Sequence, residues 1–261
     1  MIAPNVWRIA RQELKSYFVS PIGYVVLSLF SVLEGWFFFN HVNRFNDMVA
    51  AGLMSRRPDA LNQINLQRFV VEPLFSEIFM LLMVFLPAIT MRLVAEERKQ
   101  KTLELLLTCP LRTSEIILGK YLSVVAFLGL MLGLTVIHPT LLFVFGRPGP
   151  DLLPLLTGYA GLFLAGACVL SVGLFASCLT ENQIVAFVLT VFLAHLFAMI
   201  SWPAPAIGGV WGDILRALSL KDHTLSLVRG FVDTRGLVYL VSFTFFWLFL
   251  SHRAIEGSRV R

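Results

Sequence analysis

Apolar residues along the chain gather into long unbroken runs and do not alternate with polar ones. Six runs approach or exceed the roughly 20 residues a helix needs to cross a hydrocarbon core: 21–41, 73–94, 119–145, 152–179, 184–202 and 236–252. Each holds only a rare charge, because one Lys, Arg or Asp at mid-bilayer costs about 2.5–3.5 kcal/mol on insertion scales. Continuous runs exclude a transmembrane barrel, whose strands alternate. The first run is too long for the apolar stretch of a signal peptide, and no small-x-small cleavage pattern follows it. Pro87 and Pro139 predict kinks in the second and third spans. Gly129 and Gly133 in the third span, and Gly161, Ala165, Gly173 and Ser177 in the fourth, predict close helix–helix approach. The expected fold is an all-α polytopic membrane protein: an interfacial helix over 1–20, six transmembrane helices over 21–252 and a tail over 253–261.

Composition agrees. The 261 residues are 57% hydrophobic and 14% charged, where soluble domains run near 45–50% and about 25%. That balance excludes an ordinary cytosolic enzyme and a disordered chain. Net charge is +5 with no dense basic run, so nucleic acid is not an expected partner. Basic residues number 12 on the side holding both termini and 9 on the other. With the cluster Arg98, Lys99 and Lys101, the positive-inside rule places both termini in the cytoplasm. Cys109, Cys168 and Cys178 are too few and too scattered for a disulfide framework, and read as inert small hydrophobes.

The polar segments carry more information. In residues 4–18, Val6, Ile9, Ala10, Leu14, Tyr17 and Phe18 share one half of a helical wheel, with Arg8, Arg11 and Lys15 opposite. This predicts a helix in the headgroup plane, greasy side down. Glu13 falls inside the apolar arc; it is either paired with a basic residue of the 96–120 connection or snorkels to the surface. Residues 96–120, EERKQKTLELLLTCPLRTSEIILGK, predict a short apolar helix over 102–107, a break at Pro110 and a new helix capped by Ser114. The patch Leu103, Leu105, Leu106 and Leu107 packs under the bundle, docks into a partner or lies on lipid. In 203–235, one or two short helices dip into the outer leaflet, with Trp202 and Trp211 as interfacial anchors. The 42–72 loop is a surface excursion with at most one helix.

Catalytic chemistry is missing. Gly119–Lys120 has Ser114 where a phosphate-binding loop needs its first glycine, and Tyr121 follows the lysine. His41, His138, His195, His223 and His252 stand singly, without metal-ligand spacing. Intramembrane ionisable groups are the remaining candidates: Glu34 and Glu77 in the outer halves of spans one and two, read first as inter-helix hydrogen-bonding groups and second as part of a substrate pathway, and His195 in span five. Arg92 reads as a snorkelling side chain or a partner of Glu96 or Glu97. No ladder of carboxylates crosses the bilayer, so a proton relay is poorly supported.

The run EERKQKTLELLLTCPLRTSEIILGKYL resembles the signature of ABC-2 type transporter permeases, where an acidic and basic stretch precedes T-x-E-x-L-L-x-x-P and ends in Gly-Lys. The likeness continues in ARQELKSYFVSPIGYVVLSLF near the start and SLKDHTLSLVRGFVDTRGLVYLVSFTFFWLFL near the end. The latter, with His223, Arg229, Gly230, Asp233 and Tyr239, is similar to the gliding-motility subgroup. Lys101 stands where the family usually has glycine. The resemblance implies the ABC-2 (type V exporter-like) fold, with residues 1–20 as a connecting helix (Arg11, Glu13) and a coupling helix between spans two and three. That coupling segment comprises Glu96, Glu97, Thr102, Leu103, Glu104, Leu105, Leu106, Leu107 and Pro110. Short re-entrant helices before span six would carry His223, Arg229, Gly230 and Asp233. It further implies a permease dimer, homo- or heteromeric, docked on two copies of a separate ABC ATPase subunit. That subunit would bind ATP and Mg; this chain would hold no cofactor and no catalytic residue.

The expected function is the membrane subunit of an ATP-driven exporter in a bacterial inner membrane. Two alternatives stand beside it. One is a mechanical or motility complex acting on an extracytoplasmic auxiliary protein; the other is an ATP-independent secondary transporter, which would want inverted repeats and polar midplane groups.

Overall fold

The computed structural model describes residues 3–54, 65–102, 111–146 and 149–259. Among these residues every regular element is helical. Helix α1 (Ala3–Val19) is followed after Ser20 by α2 (Pro21–Met54), with proline at the first helical position, where its missing N–H is no loss. At 34 residues α2 is about 50 Å long, well beyond the roughly 30 Å of a hydrocarbon core. Hydropathy falls after residue 41, yet nothing in VNRFNDMVAAGLM breaks a helix, so residues 42–54, expected as loop, continue it. A π-helical turn (Gln67–Val71) leads into α3 (Glu72–Thr90), and a non-helical turn separates α3 from the short α4 (Ala95–Lys99).

The third run forms α5 (Thr113–Thr135) and α6 (Ile137–Phe145), interrupted at Val136. Pro139 has no N–H for the Thr135 carbonyl, which instead lies 3.2 Å from His138 Nδ1. The expected N-cap at Ser114 is corrected to Arg112. The Glu115 carboxylate reaches back to the Arg112 N–H at 2.9 Å, closing the helix start three residues upstream. After α7 (Leu152–Leu179) come α8 (Gln183–Met199), three short helices α9 (Ala204–Ile207), α10 (Gly209–Ala217) and α11 (Leu220–Val228), and finally α12 (Thr234–Arg259). The segment before the last span thus holds three helices where one or two were expected. Residues 253–259, read as tail, continue α12, with His252 and Arg253 both against Glu256.

Among the described residues five stretches are long and apolar enough to cross a membrane: 21–54, 67–99, 113–145, 152–179 and 234–257. The expected sixth, 184–202, stops at Met199; its 17 residues reach about 25 Å.

Helix α7 is the axis of the bundle, lying against α3, α5, α8, α11 and α12. Its small residues explain how. A side chain at Gly173 would overlap Thr90, so glycine there lets the end of α3 sit directly on α7. One turn on, Ser177 Oγ accepts the N–H groups of Val94 and Ala95, each at 3.0 Å, and donates to the Met91 carbonyl at 3.2 Å. The backbone left unpaired by the break after α3 is thereby satisfied inside the bundle. Gly129 and Gly133 behave otherwise: a Cβ on either would meet little or nothing, because they line an open apolar groove. The expected close approach there is not made, since no second helix of this chain lies over that face.

Two stability outcomes follow from this packing. Ser177→Ala strands two buried N–H groups and should lower stability by about 1–3 kcal/mol, read as an earlier thermal unfolding midpoint in detergent. Lys101 has φ 58°, the left-handed region. Lys101→Gly should relieve that backbone and raise the same midpoint, by about 0.5–1 kcal/mol.

Candidate functional site

Helix α1 turns its apolar face onto the start of α5, with Val6, Ala10 and Tyr17 buried and Arg8, Arg11 and Lys15 exposed. The helix is therefore seated on protein where the sequence suggested lipid. Contact is close because residue 119 is glycine: a Cβ there would fall 2.7 Å from Ile9. Tyr17 donates to the Ile89 carbonyl at 3.4 Å, and burial pushes its hydroxyl well above the ordinary phenol range, so it stays neutral.

That seating drives Glu13 towards Lys120. The Lys120 ammonium lies 2.5 Å from Glu13 Oε1 and 2.7 Å from Glu97 Oε1, with only 2% of its side chain exposed. One buried cation thus binds three separate pieces of chain: α1, α4 and α5. A buried charge is tolerated only when paired and hydrogen-bonded, and Lys120 has two carboxylates. Beside it Arg92 grips Glu96 with two hydrogen bonds, Nε at 2.7 Å and Nη2 at 3.1 Å. Thr102 Oγ1 donates to the Glu97 carbonyl at 3.2 Å, and Asn5 of α1 donates to Glu115 at 3.4 Å.

These contacts converge on the two roots of one segment. Leu103, Glu104, Leu105, Leu106, Leu107 and Pro110, together with Cys109, lie outside the described residues. The chain leaves for them at Thr102, tied to Glu97, and returns at Arg112, tied to Glu115. Sequence reasoning pointed to a basic partner for Glu13 without naming Lys120. The signal was there: a lone lysine between IILG and YLSVV is as misplaced as a glutamate in an apolar arc, and opposite misfits within reach should pair.

At the other end of the bundle, Glu34 and His41 stand seven residues apart on one face of α2. His138 Nδ1 lies 2.7 Å from Glu34 Oε2, and His41 Nε2 lies 3.0 Å from Glu77 Oε2. Two carboxylate–imidazole pairs therefore pin α2 to α6 and α3. Both histidines were read from sequence as isolated; only the fold reveals their partners. His195 bonds back to the Val191 carbonyl of its own helix at 3.0 Å.

In the segment before α12, His223 stacks on Tyr239 with ring centres 4.6 Å apart, and Tyr239 donates to the Leu218 carbonyl at 2.6 Å. Arg229 Nε approaches Glu72 at 3.9 Å, Gly230 turns the chain at φ 85°, and Asp233 accepts the Arg235 N–H at the start of α12. Sequence neighbours are thus divided: His223 holds the hairpin to α12, while Arg229 faces α3. Among the described residues no group of three or more His, Cys, Asp or Glu side chains could hold a metal, and Cys168 and Cys178 are buried free thiols.

The family model described as ABC-2 family transporter protein matches residues 54–220, close to two thirds of the chain. The chain belongs to this family. No curated protein matches it. The matched region contains Glu97, Lys120 and both roots of the 103–110 segment, while Glu13 lies before it. Membership and the apolar helices together make this ABC-2 chain a multi-pass membrane protein, the permease component of an ABC transporter. Permeases of this family are generally non-catalytic and generally depend on an ABC ATPase.

Removing the shared cation leaves two carboxylates facing each other in a partly buried site. Lys120→Met should destabilise the permease by about 3–5 kcal/mol, seen as a lowered unfolding midpoint, with Lys120→Arg, which keeps the charge, recovering part of the loss.

Proposed function

We propose that this permease couples ATP hydrolysis in a separate ABC ATPase subunit to export across a bacterial inner membrane. The observation that carries the reading is the Lys120 clamp at the roots of the 103–110 segment. A helix that passes motion from a hydrolysing partner to the spans must be rigidly anchored, since a partner shifts a conformational equilibrium only through contacts that differ between its states. Glu13, Glu97 and Lys120 supply that anchorage, and the leucines of the sequence LELLL, Leu103, Leu105, Leu106 and Leu107, supply the apolar side chains the ATPase would recognise. ATP and Mg bind in the partner.

In this reading α8 is the sixth span, both termini are cytoplasmic, and two permease chains pair over two ATPase copies. Residues 96–112 act as the coupling segment. Helices α9 to α11, with His223, Arg229, Gly230 and Asp233, form the hairpin at the outer mouth. The paired state of Glu34 and Glu77 favours a second reading, in which the complex does mechanical work on an extracytoplasmic protein, as in gliding motility. Glu77 and one oxygen of Glu34 are engaged by imidazoles within the bundle, which leaves Glu34 Oε1 buried without a hydrogen-bond partner among the described residues, where a substrate pathway would keep more polar groups unpaired. A transport assay in vesicles separates the two.

Leu105→Asp and Leu106→Asp should each abolish permease-stimulated hydrolysis by the co-purified ATPase while leaving membrane insertion unchanged. Retained stimulation in both variants would sink the coupling role.

A further inference from the structure

Where α1 meets α2, a cavity of about 250 Å³ opens between the interfacial helix and the end of α3. Its polar lining is Glu13, Ser16, Tyr17, Ser20, Arg92 and Glu96. The clamp described above does not exhaust these groups. Glu13 gives Oε1 to Lys120, and Oε2 has no partner among the described residues. Arg92 spends Nε and Nη2 on Glu96, and Nη1 has none there. The lining therefore offers a carboxylate oxygen and a guanidinium N–H, while the hydroxyls of Ser16 and Ser20 are engaged with the Glu13 carbonyl and the Ile22 N–H. The lining carries two acidic groups against one basic group, so an occupant of net negative charge is disfavoured, while one bearing both an anion and an ammonium is matched.

Position names the source of such a molecule. The cavity lies at the entrance to the first apolar span, which puts it at the water–lipid boundary. Its lining also includes the apolar Ile22 and Leu93, and the adjoining stretch of chain carries exposed apolar side chains, Val19, Tyr24 and Val25, able to receive acyl chains. The volume is below the roughly 300–1,000 Å³ of pockets that engulf a whole drug-sized ligand, and suits a headgroup whose remainder stays outside.

We propose that this cavity binds the headgroup of a phospholipid carrying a primary ammonium, of the phosphatidylethanolamine class, with the phosphate against Arg92 and the ammonium against Glu13. A quaternary ammonium has no N–H to donate, and an anionic glycerol headgroup brings no cation for Glu13. The bound lipid would brace the joint between the connecting helix and the first span. The proposal rests on reading the apolar helices as membrane spans, and is independent of ATPase coupling.

Native mass spectrometry of the full permease, released from nanodiscs of equimolar phosphatidylethanolamine, phosphatidylglycerol and phosphatidylcholine, tests it. Retained phosphatidylethanolamine should exceed either competitor by about tenfold, equivalent to about 1.4 kcal/mol. Ser20→Phe, which fills the cavity and leaves every residue of the clamp unaltered, should reduce the three lipids to parity; if that variant does not fold, Ser16→Phe enters the same cavity from an exposed position. Equal retention in the unaltered permease, or an undiminished preference in the filled variant, would overturn the site. Binding of soluble glycerophosphoethanolamine as tight as that of the lipid would overturn the membrane source. No ATPase activity is read, so either failure leaves the coupling reading intact.

Discussion

A buried ammonium is stable only where negative charge meets it, and Lys120 is met twice, by carboxylates from parts of the chain 107 and 23 residues away. Everything at this end of the molecule is arranged around that requirement. Helix α1 must lie on α5 for Glu13 to arrive, Gly119 must lack a side chain for α1 to come close, and α4 must project from the end of α3 at the angle that delivers Glu97. Because a half-paired buried charge is far less stable than a fully paired one, the three pieces are mutually dependent. Thr102 and Arg112, on either side of residues 103–110, are each tied to a glutamate of this end of the molecule.

The angle of α4 is set by α7. A helix that stops inside a bundle exposes backbone N–H groups that find no water, and Ser177 answers two of them with one hydroxyl. Gly173 admits Thr90 one turn earlier. The small residues of α7 thus hold an interrupted neighbour in place. This use of small residues differs from close contact between two straight helices, and it links the most buried helix to the charged end of the molecule.

The opposite end is held by other means. Helix α2 has few buried residues along its 34, and its ties to the bundle include two carboxylate–imidazole pairs seven residues apart. His138 can serve one of them because Pro139 interrupts the third span just there, placing the imidazole near both Glu34 and the carbonyl that proline cannot satisfy. Within a single chain, Glu34 and Glu77 each tie α2 to a neighbouring helix through an imidazole.

Hydropathy alone fixed the all-helical class, the approximate place of every long apolar helix and the membrane setting, because each depends on continuous burial of the chain in an apolar medium. Opposing misfits, Glu13 in a greasy arc and Lys120 in a greasy run, were visible for the same reason. Their meeting was not, nor were the pairs Glu34–His138 and His41–Glu77, since periodicity tells which face of a helix a residue occupies but not which helix lies against that face. Helix ends were legible only where a proline or cap announced them: α2 ran thirteen residues past its apolar stretch, and α5 began at Arg112 by a carboxylate reaching backwards. Local chemistry determined the elements. Tertiary packing decided which charges became neighbours, because Coulomb attraction in a low-dielectric interior acts through space and takes no account of distance along the sequence.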